Sequence, residues 1–156
     1  MQGDGLKPAR AAALRYLKTR DRTVQQMRDH LAKKEFSEEI IEATIRTFHD
    51  LGYLDDNRFA ERFARNRMET RQWGRRRIAD ELRKRGISRD VAHAMLDEVF
   101  EELDESDLAL ACAEKKIRSL TGLEKPTARR RLAQFLQRKG FGPDAVFKTV
   151  NTLVPW

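Results

Sequence analysis

Residues 78–96 read IADELRKRGISRDVAHAML, and the spacing of their apolar positions decides the fold. Ile78 and Leu82 lie one helical turn apart, Ile87 follows a basic stretch, and Val91, Ala92 and Leu96 continue at helical spacing. The same order appears 51 residues earlier as Met27, Leu31, Phe36, Ile40, Ile41 and Ile45. It appears again 54 residues later as Leu132, Leu136, Phe141, Ala145, Val146 and Val150. Apolar residues at i, i+4 and then i, i+1, i+5 mark two helices that each bury one stripe. A period near 50 residues marks a helical repeat protein, whose units bury those stripes against themselves and their neighbours. The expected fold is all-α: three tandem three-helix repeats, residues 1–53, 54–104 and 105–156, forming an elongated, curved array. Arrays of this kind present a surface and seldom carry out chemistry.

The joint inside each unit is its most regular part. It reads Lys33-Lys34-Glu35-Phe36-Ser37, then Lys84-Arg85-Gly86-Ile87-Ser88, then Arg138-Lys139-Gly140-Phe141-Gly142. Gly86 and Gly140 suit the left-handed residue that ends a helix, and the apolar residue after each suits the side chain that packs back on it. Glu35 breaks the pattern and is expected to carry a strain cost at positive φ.

Outward from the joints the signals are caps and stripes. A first helix is expected over Pro8–Thr19, burying Ala9, Ala13, Tyr16 and Leu17. Thr23 and Gln26 form a capping box, and Ser37, Ser88 and Asp55 or Asp56 read as further N-caps. Ser106 reads as the start of a helix bearing Leu110, Ala113 and Ile117, which Thr121-Gly122-Leu123 interrupts. Pro126 and Pro143 suit first turns, where an amide hydrogen would have no partner. Leu153 and Trp156 are expected to fold back over the last helix, and Tyr53 and Trp73 to pack between units. An exposed Trp73 would offer a base a stacking platform.

The chain has 156 residues, 37% charged and 40% hydrophobic, so disorder is not expected. No apolar run nears the ~20 residues that span a membrane, and the first ten residues lack the apolar core of a signal peptide. Cys112 is the only cysteine, which excludes an intramolecular disulfide and a cysteine-rich metal site. A soluble cytoplasmic protein is the expectation.

The formal charge of +7 is distributed unevenly. Eleven Arg or Lys residues stand against three acids between Arg62 and Arg89, whereas residues 97–107 hold seven acids and no base. The first block attracts polyanions such as nucleic acid; the second repels them or matches a basic patch on another protein. Candidate contacts are Arg71, Arg75, Arg76, Arg77, Arg83, Lys84 and Arg85, with Arg129, Arg130 and Arg131 repeating the arrangement in the third unit. The plainer reading of both clusters is a solvated helix face.

Nothing in the chain points to catalysis. Asp55 and Asp56 are adjacent at a helix start, which is a cap and its neighbour before it is a carboxylate pair. His30, His49 and His93 sit on different helices without metal-ligand spacing, and no phosphate loop, nucleophile elbow or zinc signature is present. The reading is a non-enzyme without cofactor, metal or small-molecule substrate. Each helix pair has the length of a helix-turn-helix, but Glu42, His93 and Phe147 stand where base-reading side chains would be needed.

At Leu51-Gly52-Tyr53-Leu54-Asp55-Asp56-Asn57-Arg58-Phe59-Ala60, followed by Trp73-Gly74, Arg77-Ile78, Glu81-Leu82 and Arg85-Gly86-Ile87, the chain resembles the bacterial RecX family of regulatory proteins. The likeness runs from about Ala9 to Val150 and is densest between Leu51 and Ile87. Gln26-Met27 stands where the family often has Glu-Leu, and Glu35 where it has Gly. The resemblance implies a modulator of the RecA recombinase, one that lies in the groove of the RecA filament on single-stranded DNA. It further implies restraint of ATP hydrolysis, strand exchange and coprotease activity, hence of recombination, repair and the SOS response. Two readings stand beside it: a DNA-binding protein acting by occupying single- or double-stranded DNA, and a structural adaptor with a solvated basic face.

Overall fold

A computed structural model describes residues 3–156, with side chains from residue 5 onward. Among the described residues there is no strand. The helices are α1 (Gly3–Leu17), α2 (Val24–Lys33), α3 (Glu38–Asp50), α4 (Asp56–Arg71), α5 (Arg75–Lys84), α6 (Arg89–Glu102), α7 (Glu105–Ile117), α8 (Lys125–Arg138) and α9 (Pro143–Leu153). A 3-10 turn, Arg118–Leu120, follows α7. In each unit the first and third helices pack along one another and the second closes the side. None is long and apolar enough to cross a membrane.

The repeated apolar positions form three separate cores. Met27, Leu31, Ile41 and Ile45 are buried with Ala12, Ala13, Phe48 and Leu54. Ile78, Leu82, Ile87 and Leu96 are buried with Phe63 and Trp73. Leu132, Leu136, Phe141 and Val150 are buried with Ala109 and Cys112. The caps follow the local chemistry. Thr23 and Gln26 complete a capping box, while Ser37, Asp55 and Ser88 accept from the amides of Ile40, Arg58 and Val91.

The units are joined end to end through helix termini. The α5–α6 joint of the second unit docks on the start of α2, where Thr23 Oγ1 donates to the Arg85 carbonyl at 2.6 Å. The α8–α9 joint of the third unit docks the same way on the start of α5. There the Gly74 amide donates to the Lys139 carbonyl at 2.7 Å and the Arg76 amide to the Gly140 carbonyl at 3.0 Å. Each contact sets the negative end of one helix against the positive end of another, which satisfies groups that helix termini leave orphaned. Asp56 adds a further tie, accepting from the Val24 amide at 3.0 Å.

This geometry explains why two joints carry glycine and one does not. Gly86 and Gly140 have φ of +87° and +97°, and a Cβ on either would strike the neighbouring unit. At Gly140 it would lie 2.4 Å from both the backbone nitrogen and the Cβ of Arg77. Glu35 also has positive φ, 65°. No other unit among the described residues docks on its joint, so a side chain there costs backbone strain without a clash. At the other end α8 begins at Lys125. Ala128, which matches Gly74 in the repeat, therefore lies inside the helix and not at its start. The total accessible surface is 9917 Å², against about 8,100 Å² for a compact monomer of this mass. The excess is that of an extended array.

Several sequence expectations are corrected. The first helix spans Gly3–Leu17 and not Pro8–Thr19: Pro8 removes only one amide of the helix, and Gly5 lets α1 pack directly on Ile40. Asp104, not Ser106, caps α7 by accepting from the Ser106 amide at 2.8 Å. The buried stripe of α7 is Ala109, Cys112 and Ala113, while Leu110 and Ile117 are half-buried. Tyr53 is exposed and meets Phe48 edge-on within the first unit. Trp73 belongs to the core of the second unit and offers no base a platform. Leu153 is half-buried against the third core as expected, whereas Trp156 is exposed and lies against the Arg129 guanidinium.

Candidate functional site

The structure sorts the arginine clusters by what already holds them. Arg75 is half-buried and paired with Asp97. Arg77 lies 4.3 Å from the centre of the Trp73 ring and donates to the Arg138 carbonyl at 3.4 Å, so it belongs to the joint between the second and third units. Arg85 lies 4.5 Å from the Phe63 ring centre and donates to Glu81 at 2.8 Å. Arg129 donates to Asn151 at 2.6 Å and to the Val154 carbonyl, tying down the end of the chain. Arg83 and Lys84 are exposed but paired within α5, with Asp80 at 2.6 Å and Glu81 at 3.2 Å.

Four of the ten candidates remain exposed without an ion pair among the described residues: Arg71, Arg76, Arg130 and Arg131. Arg76 and Arg130 occupy the same repeat position, as do the tied Arg75 and Arg129, so the two units present one free arginine at the same place on their second helices. Arg76 and Arg83 line a shallow hollow of about 300 Å³ with Arg89 and His93. Arg131 and Arg138 line another of about 430 Å³. These are open cationic surfaces suited to a large anionic partner.

Most of the acidic block serves the fold. Asp97 pairs with Arg75, Glu102 with Arg65 at 3.0 Å, and Asp104 caps α7. Glu105 accepts from the Gly142 amide at 3.0 Å and so caps α9.

Clustering along the sequence misses Arg20, Arg62 and Arg67, which line a crevice of about 360 Å³ with Phe59, Gln26 and Arg85. They are scattered over some fifty residues, and only the packing of the first unit on the second gathers them. Helical spacing offers one signal: Arg67 stands four residues after Phe63 and four before Arg71. Burial, followed by the nearby charges of Arg85 and Arg71, holds the Arg67 guanidinium below the ordinary arginine value.

Fold and surface together define a tandem three-helix repeat protein with a cationic face and helix-end joints. Residues 9–46, 55–96 and 104–150 match the models of the first, second and third three-helix domains of RecX. The chain is 40% identical over 147 residues to "Regulatory protein RecX" of Halorhodospira halophila, covering 92% of this chain and 87% of the relative. It is 35% identical over 151 residues to the protein of that name from Streptomyces lividans, covering 95% and 78%. The crystal structure of RecX from Lactobacillus salivarius superposes with a TM-score of 0.89 at 26% identity, over 97% of both chains. The chain belongs to the RecX family of regulatory proteins.

Proposed function

We propose that this protein binds the RecA filament on single-stranded DNA and restrains its ATP hydrolysis, strand exchange and coprotease activity, in the cytoplasm and without turnover of its own. Family membership carries the reading. It is supported by units locked through helix termini, which make a stiff array suited to a groove shared by successive subunits. The free arginines Arg71, Arg76, Arg130 and Arg131 suit a filament that carries DNA. The competing reading, inhibition by occupying DNA, draws on the same positive charge.

The test is RecA ATP hydrolysis on single-stranded DNA, titrated with wild type and with an Arg76→Glu/Arg130→Glu variant shown by circular dichroism to be folded. The expected result is inhibition by wild type that weakens with salt and falls in the variant. No inhibition by wild type at any salt overturns the reading. Inhibition that vanishes when DNA is supplied in excess over protein, with no co-sedimentation on filaments, selects DNA occupancy instead.

A further inference from the structure

The crevice between the first and second units is unevenly neutralised. Arg62 is paired with Asp21 at 3.0 Å and Arg85 with Glu81 at 2.8 Å. Arg67 has no ion pair among the described residues, although the Glu81 carboxylate lies near enough to act on its charge. It donates to the neutral Asn66 amide oxygen at 2.5 Å, and its guanidinium lies 4.5 Å from the Phe63 ring centre and 5.5 Å from that of Trp73. Arg20, on the far wall, is exposed and unpaired among the described residues. Burial, then the neighbouring charges of Arg85 and Arg71, weaken the Arg67 cation's hold on its proton, and Glu81 offsets them only in part.

We propose that this crevice binds a phosphodiester of a single nucleic-acid strand, with Arg67 and Arg20 holding the phosphate and Phe59 forming an apolar wall beside the sugar or base. Guanidinium groups from two units converge on one hollow, which suits a tetrahedral anion whose oxygens engage more than one fork. A carboxylate has two coplanar oxygens and is matched by a single fork. Arg71 follows Arg67 by four residues of α4, ~6 Å along the axis, and gives the next phosphate a cation. The half-buried Phe59 favours a nucleotide over a bare acidic side chain. Rigidity also favours the site, because Thr23 and Asp56 fix the two walls across the joint. The proposal depends on the filament-modulator reading only in naming nucleic acid as the ligand, and its binding assay contains no RecA; RecA enters only in a separate inhibition assay of the same variants.

The probe is a fluorescent thymidine oligonucleotide of about 15 nucleotides, its anisotropy titrated with full-length protein at about 50 and about 200 mM salt. Arg67→Gln should weaken binding about tenfold at the lower salt and reduce the logarithmic salt slope by about 0.7 for each phosphate no longer neutralised. Arg20→Gln should act in the same direction. Its side chain has no hydrogen bond, ion pair or ring contact among the described residues, so its result stands even where Arg67→Gln destabilises the second unit. Arg10→Gln, exposed on α1, is the charge-matched control and should bind as wild type. The proposal fails if the wild type does not bind the oligonucleotide, or if Arg20→Gln and Arg67→Gln both match the control. It fails also if hexaglutamate binds more tightly than the oligonucleotide, which would make the crevice a reader of acidic protein segments. Weakened binding in a variant that still inhibits RecA upholds the crevice and counts against DNA contact in the inhibition, so the two readings fail separately.

Discussion

Replacing Gly140 with alanine tests the joint that holds the array together. The residue has φ +97°, and an added Cβ would come within 2.4 Å of the Arg77 nitrogen and Cβ and 3.0 Å of its Cα. Left-handed backbone costs an alanine about 1–2 kcal/mol. The clash involves backbone, so a rotamer change in α5 does not relieve it and the joint must open. Opening it weakens the bonds from the Gly74 amide to Lys139 and from the Arg76 amide to Gly140, at about 0.5–1.5 kcal/mol each. The sum is roughly 2–5 kcal/mol. Gly52→Ala is the internal reference, because Gly52 has φ +79° but an added Cβ there would meet nothing within 4 Å; it should cost only the backbone part. Urea unfolding followed by circular dichroism measures both. With a slope of about 2 kcal/mol/M, Gly140→Ala should lower the midpoint by roughly 1–2.5 M and Gly52→Ala by about 1 M or less. The third unit should also begin to unfold before the others, as expected when an interface in a repeat array is weakened. Equal losses for the two variants would refute the close approach at the joint.

Glu35→Gly relieves positive φ without a neighbour to meet, and should raise the same midpoint by the equivalent of about 1 kcal/mol; a loss would show that the Glu35 side chain is needed. Leu82→Ala removes a side chain with no exposure from the core of the second unit and should cost about 2–5 kcal/mol in chemical denaturation, an unchanged midpoint being the refuting result. The hydrogen bond from Arg85, and then that from Lys84, holds the Glu81 carboxyl below the usual glutamate range. The stability it contributes is therefore present above the unfolded glutamate pKa and lost as pH falls through the lower folded value. Glu81→Gln should destabilise at neutral pH and converge on wild type below about pH 3, and a loss that is the same at both pH values would contradict the pairing.

The helices, most of their caps and the three-unit plan are legible in the amino-acid order alone. They depend on interactions within about a turn or two of the chain: stripes at helical spacing, Ser ahead of an acidic first turn, the Thr23–Gln26 capping box, glycine where a helix must end left-handed. The first and seventh helices are less legible, because alanine-rich faces such as Ala109, Cys112 and Ala113 give weak periodicity. A proline near a helix start also resembles the start itself.

Which cations are available emerges only from the packing of the units. Arg75, Arg76 and Arg77 are adjacent and chemically identical, yet one is paired with α6, one is free and one is enclosed by the next unit. Arg20 and Arg67 meet at one crevice although 47 positions separate them. A guanidinium's role follows from the dielectric and the partners around it, and here those partners come from another unit. Local sequence places the charge on a helix, but whether that charge faces solvent, an aromatic ring or a joint depends on how the units meet.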